Sequence, residues 1–315
     1  MTLPRIGVFD SGVGGLTVLK AMAEQLPAHY IYFGDTARLP YGTKSAETVA
    51  RYAIAATRFL EAQDIDLLVI ACNTATALAL PAIEGAAHVP VIGVVEPGAA
   101  AAAEVTQQGA AVVIATEATV SSHAYRDALS RHGLQSLEKA CPLLVPLIEE
   151  GWSEHAVTEQ VARIYLDEAM AQAPGGADVL VLACTHYPLI APLLRRIMPE
   201  SMKIVDSAES TARVVRKMIG ERQAACREPR ATSHELRGAS EGFVDPASTR
   251  AGSEARSRAT AVATSKRTTA AATKASGEHR TFRFCVTDST EKFKRLATRF
   301  LGRQVDRVER VDLGG

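Results

Sequence analysis

This chain of 315 residues has no net charge, few aromatic rings and no long apolar run. Lys plus Arg and Asp plus Glu each number 35, so no global field draws the protein to nucleic acid or to an anionic membrane. Aromatic residues make up 5%, too few for a base-stacking surface. No apolar stretch reaches the roughly 20 residues needed to span a bilayer. The opening MTLPRIGVFD lacks the basic, apolar and cleavable pattern of a signal peptide. The cysteines are Cys72, Cys141, Cys184, Cys226 and Cys285, an odd number without a C-x-x-C pair. That excludes a disulfide framework and points to reduced thiols in a cytoplasmic protein.

What is present suits a soluble enzyme. The chain is 47% hydrophobic and 22% charged, enough to bury a sizeable core, and long enough for two compact units. Short apolar runs occur at 5–10, 30–34, 66–72, 90–95, 110–116, 178–184 and 203–206. They are continuous rather than alternating, as strands covered on both faces must be. Between them lie amphipathic stretches such as 44–63 and 153–172, with apolar residues at helical spacing. The alternation predicts an α/β fold with mainly parallel sheets, in which ligands bind beyond the carboxyl ends of the strands.

Two of these runs echo each other. LLVIACNTATALALP (67–81) and VLVLACTHYPLIAPL (179–193) both read as apolar residues, Ala, Cys and a polar pair. Each strand end then offers a thiol, a hydroxyl (Thr74, Thr185) and a third polar group (Asn73, His186). A single buried Cys is an ordinary core residue. Two in matched contexts point instead to two similar α/β lobes facing each other across a cleft. From Ala247 to Ser276 the chain holds one Val and no Leu, Ile, Phe, Met or Tyr. Such a stretch cannot offset its ordering entropy, so 225–280 is expected to be a disordered Ala/Ser/Thr/Arg-rich insertion. Order returns over 281–302, as a strand, then Asp288 or Ser289 as a helix cap, then a helix with Phe293, Leu296, Phe300 and Leu301 on one face. The expected division is 1–97 with 208–224 and 281–315 as the first lobe, and 98–207 as the second.

A thiol can be a nucleophile, a metal ligand, a redox centre or a proton-transfer base. A metal site needs about four ligands, and only Cys184 and His186 lie close in sequence. Redox pairing lacks its usual spacing. Nucleophilic catalysis needs one Cys, not two equivalent ones. Two equivalent thiols from opposite lobes suit proton removal from one face of a carbon and delivery to the other, which is racemisation without a cofactor. The segment FDSGVGGLT (9–17) follows a strand and opens a helix, and its glycines would let backbone amides approach an anion. Asp10 sits at that strand end, where it could assist a thiol or bind an amino group. RLPYGTK (38–44) is a turn with backbone N–H groups to offer.

Together, GVFDSGVGGLTVL, GDTARLPYGTKS, ACNTATA, VPLIEEG and LACTHYPL resemble the glutamate racemases, cofactor-independent members of the aspartate/glutamate racemase superfamily. The resemblance covers about 5–220 and resumes at 281–302. It implies two pseudo-symmetric lobes with the active site in the cleft between them. It implies Cys72 and Cys184 as the acid/base pair, with Asp10 beside Cys72, and His186 with Glu149 beside Cys184. Cys72 would deprotonate D-glutamate and Cys184 L-glutamate. Ser11, Tyr41, Gly42, Asn73, Thr74 and Thr185 match the substrate-binding motifs, joined by Thr116, Thr119, Asp10 and His186. The resemblance further implies a homodimer, no cofactor or metal, and D-glutamate made for peptidoglycan. The 225–280 stretch departs from the family pattern and is expected to leave the site intact. So few residues precede Asp10 that no N-terminal extension for a cell-wall precursor, as some relatives have, is expected. Aspartate racemisation on the same scaffold, a thiol redox protein and a non-catalytic binding protein are the rival readings.

Overall fold

The computed structural model describes residues 2–173, 175–225 and 280–314. Nearly all of 225–280, expected to be disordered, lies outside the described residues. The chain begins with β1 (Arg5–Asp10), α1 (Leu16–Gln25) and β2 (His29–Gly34). Two short 3-10 turns (Thr36–Arg38, Tyr41–Thr43) lead to α2 (Ala46–Glu61), β3 (Leu67–Ile70), α3 (Asn73–Ala86), β4 (Val91–Gly93) and α4 (Val95–Val105). Next come β5 (Ala110–Ala115), α5 (Glu117–Ser122), α6 (Ala124–Arg131), β6 (Gln135–Ala140), α7 (Leu144–Glu149) and α8 (Ala156–Gln172). Then follow β7 (Val179–Ala183), α9 (Ala191–Ile197), β8 (Lys203–Asp206), α10 (Ser207–Ala225), β9 (Phe282–Val286), α11 (Thr290–Leu301) and β10 (Glu309–Arg310).

The strands form two sheets, ordered β10-β9-β2-β1-β3-β4 and β6-β5-β7-β8. Every pairing is parallel. The core of the first sheet, β2-β1-β3-β4, has the same order and direction as the whole of the second. Strand β1 therefore corresponds to β5, and β3 to β7, so the echo between 67–81 and 179–193 is an equivalence of position in two lobes. The buried residues of β1, β3, β5 and β7 are apolar apart from Asp10, as helices covering both sheet faces require. One apolar cluster runs from Val8, Leu16 and Leu19 of the first lobe to Leu180, Leu182 and Leu194 of the second.

The two strands absent from the sequence expectation are β6 and β10. Strand β6 (QSLEKA) is an edge strand with half-buried residues and two charges, so it lacks an apolar run. Strand β10 is two residues long. The C-terminal return fits its expectation closely. Strand β9 pairs with β2, and Phe282 stacks on Tyr30 with ring centroids 5.5 Å apart. Ser289 caps α11 by accepting the Lys292 N–H, and Gly302, at a φ of 70° that favours glycine, ends it. Phe293, Leu296, Phe300 and Leu301 are all buried, and α11 packs on α1. Among the described residues no helix is long and apolar enough to cross a membrane.

Phe293 touches the rings of Tyr32 and Phe284, so it ties α11 to two strands of the larger sheet. Phe293→Ala is expected to destabilise the fold by about 3–5 kcal/mol, read as a lower midpoint in chemical denaturation. An unchanged midpoint would mean that α11 does not depend on this contact.

Candidate active site

The equivalent strands β3 and β7 end at Ile70 and Ala183, and Cys72 and Cys184 follow one or two residues later. Both thiols line one cavity of about 430 Å³. Ser11, Tyr41, Gly42, Asn73, Thr74, Thr116, Glu149, Thr185 and His186 line it as well. Asp10 and Thr119, also expected there, are buried behind the lining. A larger hollow of about 550 Å³ lies by Lys20, Arg280 and Arg303, but no thiol lines it. Its cations stand near the carboxyl ends of α1 and α11, where the helix dipole favours them.

Cys72 is the N-cap of α3, and its Sγ accepts the Ala75 N–H at 3.4 Å. The same Sγ lies 3.5 Å from Ser11 Oγ. Burial pushes the Cys72 thiol up to about 12 and the negative charge of Asp10 adds to this, while the hydrogen bonds of Ser11 and Ala75 oppose it. Asp10 ends β1, and its Oδ2 accepts the Gly12 N–H at 2.8 Å. Its Oδ1 is buried without a partner among the described residues. Burial raises the Asp10 carboxyl above its usual range, against the pull of the Gly12 N–H.

On the other side, Cys184 Sγ lies 3.9 Å from His186 Nδ1. His186 Nε2 is 3.1 Å from Glu149 Oε1, and the Phe300 ring meets the imidazole edge-on at 5.1 Å. Burial pulls the His186 pKa down, but its bonds to Cys184 and Glu149 outweigh burial and hold it at about 10. The hydrogen bond from His186 in turn holds the Glu149 carboxyl below its usual range. The start of α1 presses on this turn. A Cβ on Gly14 would sit 2.2 Å from Thr185 Oγ1 and 2.5 Å from His186 Nδ1, so only glycine fits there.

The polar floor joins the lobes. Thr74, Thr116 and Thr119 form a triangle of hydroxyls with separations of 2.9, 3.2 and 2.9 Å. Asn73 Oδ1 accepts from Tyr125 Oη at 2.6 Å, and its Nδ2 donates to Ser207 Oγ at 3.2 Å. The Tyr41 hydroxyl donates to buried Asp35 at 2.6 Å, and Tyr41 and Gly42 both line the cavity. Asp35 also accepts from Thr287, at 2.9 Å, which pins this loop to the end of β9.

Sequence reasoning missed Lys292, Glu117 and Glu150, which also line the cavity. Lys292 comes from α11, and only the apolar face of that helix is visible as a pattern. Among the described residues no group of three His, Cys, Asp or Glu side chains could hold a metal ion.

Two equivalent parallel sheets, each delivering a buried thiol to one shared cavity, define a two-lobed α/β amino-acid racemase. The chain belongs to the Asp/Glu/hydantoin racemase family, whose profile matches residues 6–215. It is 54% identical to a glutamate racemase of Koribacter versatilis (strain Ellin345) over 314 residues, covering 99% of this chain and 98% of that protein. The aligned span thus includes 225–280. A glutamate racemase isoform from Bacillus anthracis superposes with a TM-score of 0.78 at 31% identity, over 98% of each chain. Glutamate racemase from Francisella tularensis in complex with D-glutamate superposes with a TM-score of 0.76 at 28% identity, over 99% of each.

The electrostatic account of Cys72 has a direct readout. Iodoacetamide should label Cys72 slowly at pH 8 and faster as pH approaches its raised pKa of about 12. Asp10→Asn removes the adjacent negative charge, which lowers that pKa and speeds labelling at pH 8. Peptide mass mapping measures the rate, and an unchanged or slower rate in the variant would overturn the account.

Proposed function

We propose that this protein is a glutamate racemase that interconverts L- and D-glutamate by two-base proton transfer between Cys72 and Cys184, without a cofactor. The observation that carries this reading is the pair of thiols at equivalent strand ends lining one cavity. The names of its full-length relatives support glutamate as the substrate.

In the L-to-D direction, Cys184 as thiolate takes the Cα proton and Cys72 as thiol delivers one to the opposite face. The raised pKa of Cys72 suits its role as the proton-bearing partner at rest. His186, 3.9 Å from Cys184, exchanges a proton with that sulfur, and Glu149 balances the charge on the imidazole. In the D-to-L direction Cys72 must lose its proton first, and the unpartnered Oδ1 of Asp10 is an acceptor close by. The carbanion places charge in the α-carboxylate. The Ala75 N–H is taken by Cys72 Sγ, but the Asn73 and Thr74 N–H groups open α3 without helical partners, and with the Thr74 and Thr185 hydroxyls they can hold that group. The turn at Tyr41 and Gly42 offers backbone N–H groups to the side-chain carboxylate. D-glutamate made this way would feed peptidoglycan synthesis.

The test follows L-glutamate by circular dichroism in D2O, with mass analysis of Cα deuterium and no added pyridoxal phosphate. Loss of rotation with deuterium at Cα is expected, and L-aspartate should exchange far more slowly. Cys72→Ser and Cys184→Ser should each lose racemisation in both directions by at least about 10²–10⁴-fold. Full activity in either variant would exclude the two-base mechanism. No exchange by the unmodified protein would exclude the activity.

A further inference from the structure

The two thiols are braced unequally. Cys72 caps a helix of 14 residues. Its neighbours Asn73 and Thr74 make side-chain hydrogen bonds to Tyr125, Ser207, Thr116 and Thr119. Cys184 precedes only the short 3-10 turn Tyr187–Ile190. The turn that carries it is held within its own lobe by the Tyr187 hydroxyl, which donates to the Ala115 and Cys141 carbonyls, and by the His186–Glu149 contact, and further support comes from outside that lobe.

Thr17 of α1 provides that support. Its buried hydroxyl lies 2.9 Å from the Thr185 carbonyl, 168 positions away in sequence, and 3.0 Å from the Gly14 carbonyl of its own helix start. One proton faces two acceptors, and the contact across the lobes is the shorter. The backbone at Gly14 approaches the same turn so closely that an added Cβ would meet Thr185 and His186, so close packing accompanies the hydrogen bond. We infer that Thr17 is a positioning residue for the Cys184 half of the reaction, fixing the Cys184–His186 turn from the opposite lobe. A thiolate displaced by about 1 Å from the Cα proton can lose up to about 10²-fold in rate. Cys72 is held by its own helix and should be little affected.

This inference rests on the two-base reading, and a one-sided reaction tests both. Elimination from 3-chloroglutamate needs one base. The thiolate takes the Cα proton, the C–H electrons form the Cα–Cβ double bond, and chloride leaves from Cβ. The enamine then hydrolyses to 2-oxoglutarate and ammonium, measured by a coupled assay. Thr17→Val keeps the side-chain volume and removes the donor. It should slow elimination from the L isomer about ten-fold, in kcat rather than KM, and leave the D isomer within about two-fold. Thr17→Ser should restore the L rate, and elimination from the D isomer shows that the variant is folded. Equal loss with both isomers, or no loss with either, would overturn the role of Thr17. Cys184→Ser and Cys72→Ser should abolish elimination from the L and D isomers respectively. If those two variants fail to separate the isomers, the two-base reading falls, and the positioning role falls with it.

Discussion

Under the proposed mechanism a buried sulfur must carry negative charge, and the surroundings of Cys72 and Cys184 bear on that conflict. Burial favours the neutral thiol, and at Cys72 it wins, with the Asp10 charge reinforcing it. The opposing groups are local and weak one by one: the Ser11 hydroxyl, the Ala75 N–H and the amino end of α3. At Cys184 the means differ. There an imidazole, kept basic by a carboxylate, stands next to the sulfur. The proposed two-base mechanism calls for one thiol and one thiolate at any moment, exchanging roles at each turnover. The surroundings of the two sulfurs are unequal.

The proposed mechanism fits the topology. Two bases that approach one carbon from opposite faces can be carried on separate supports. Two lobes with the same parallel strand order, β2-β1-β3-β4 and β6-β5-β7-β8, provide them. Parallel strands point all their carboxyl ends one way, so placing two such ends against one cavity brings β3 and β7 together by construction. The short polar bridges, Thr74 to Thr116 and Asn73 to Tyr125, then fix the approach of one lobe to the other.

Much of this was legible in the amino-acid sequence, for identifiable reasons. Strands buried on both faces announce themselves as unbroken apolar runs, and among the described residues seven of the ten strands lie in such runs. Strand β9 was readable from FRFCV and the amphipathic helix after it. Strand β6 was not, because an edge strand needs no apolar face, and β10 is too short to leave a pattern. Both thiols stood out through the repeated strand-end motif. Side chains that act through tertiary contact leave no such mark. Thr17 looks like any helical threonine until α1 is laid against Thr185. Lys292 lies on a helix whose charged residues are indistinguishable in sequence, and only the packing of α11 brings it to the cavity. Asp10 was visible as a strand-end carboxylate, but its burial behind the lining, with one oxygen left unpartnered, belongs to the fold.

The C-terminal return shows how a segment distant in sequence comes to shape the site. Strand β9 adds to the outer edge of β2 in parallel, so Val286 lies level with Gly34 and Phe282 with Tyr30. Its carboxyl end thus points the same way as that of β1, and the helix that follows is delivered to the cavity side. There Arg299 donates to the Glu149 carbonyl at 2.8 Å, Phe300 meets His186, and Lys292 lends its charge to Glu149. At the amino end of β9 the Thr281 carbonyl accepts from the Tyr30 N–H at 2.9 Å. The register of β9 on β2 helps set where α11 lies. The pairing of β9 with β2 therefore supports His186, the neighbour of Cys184.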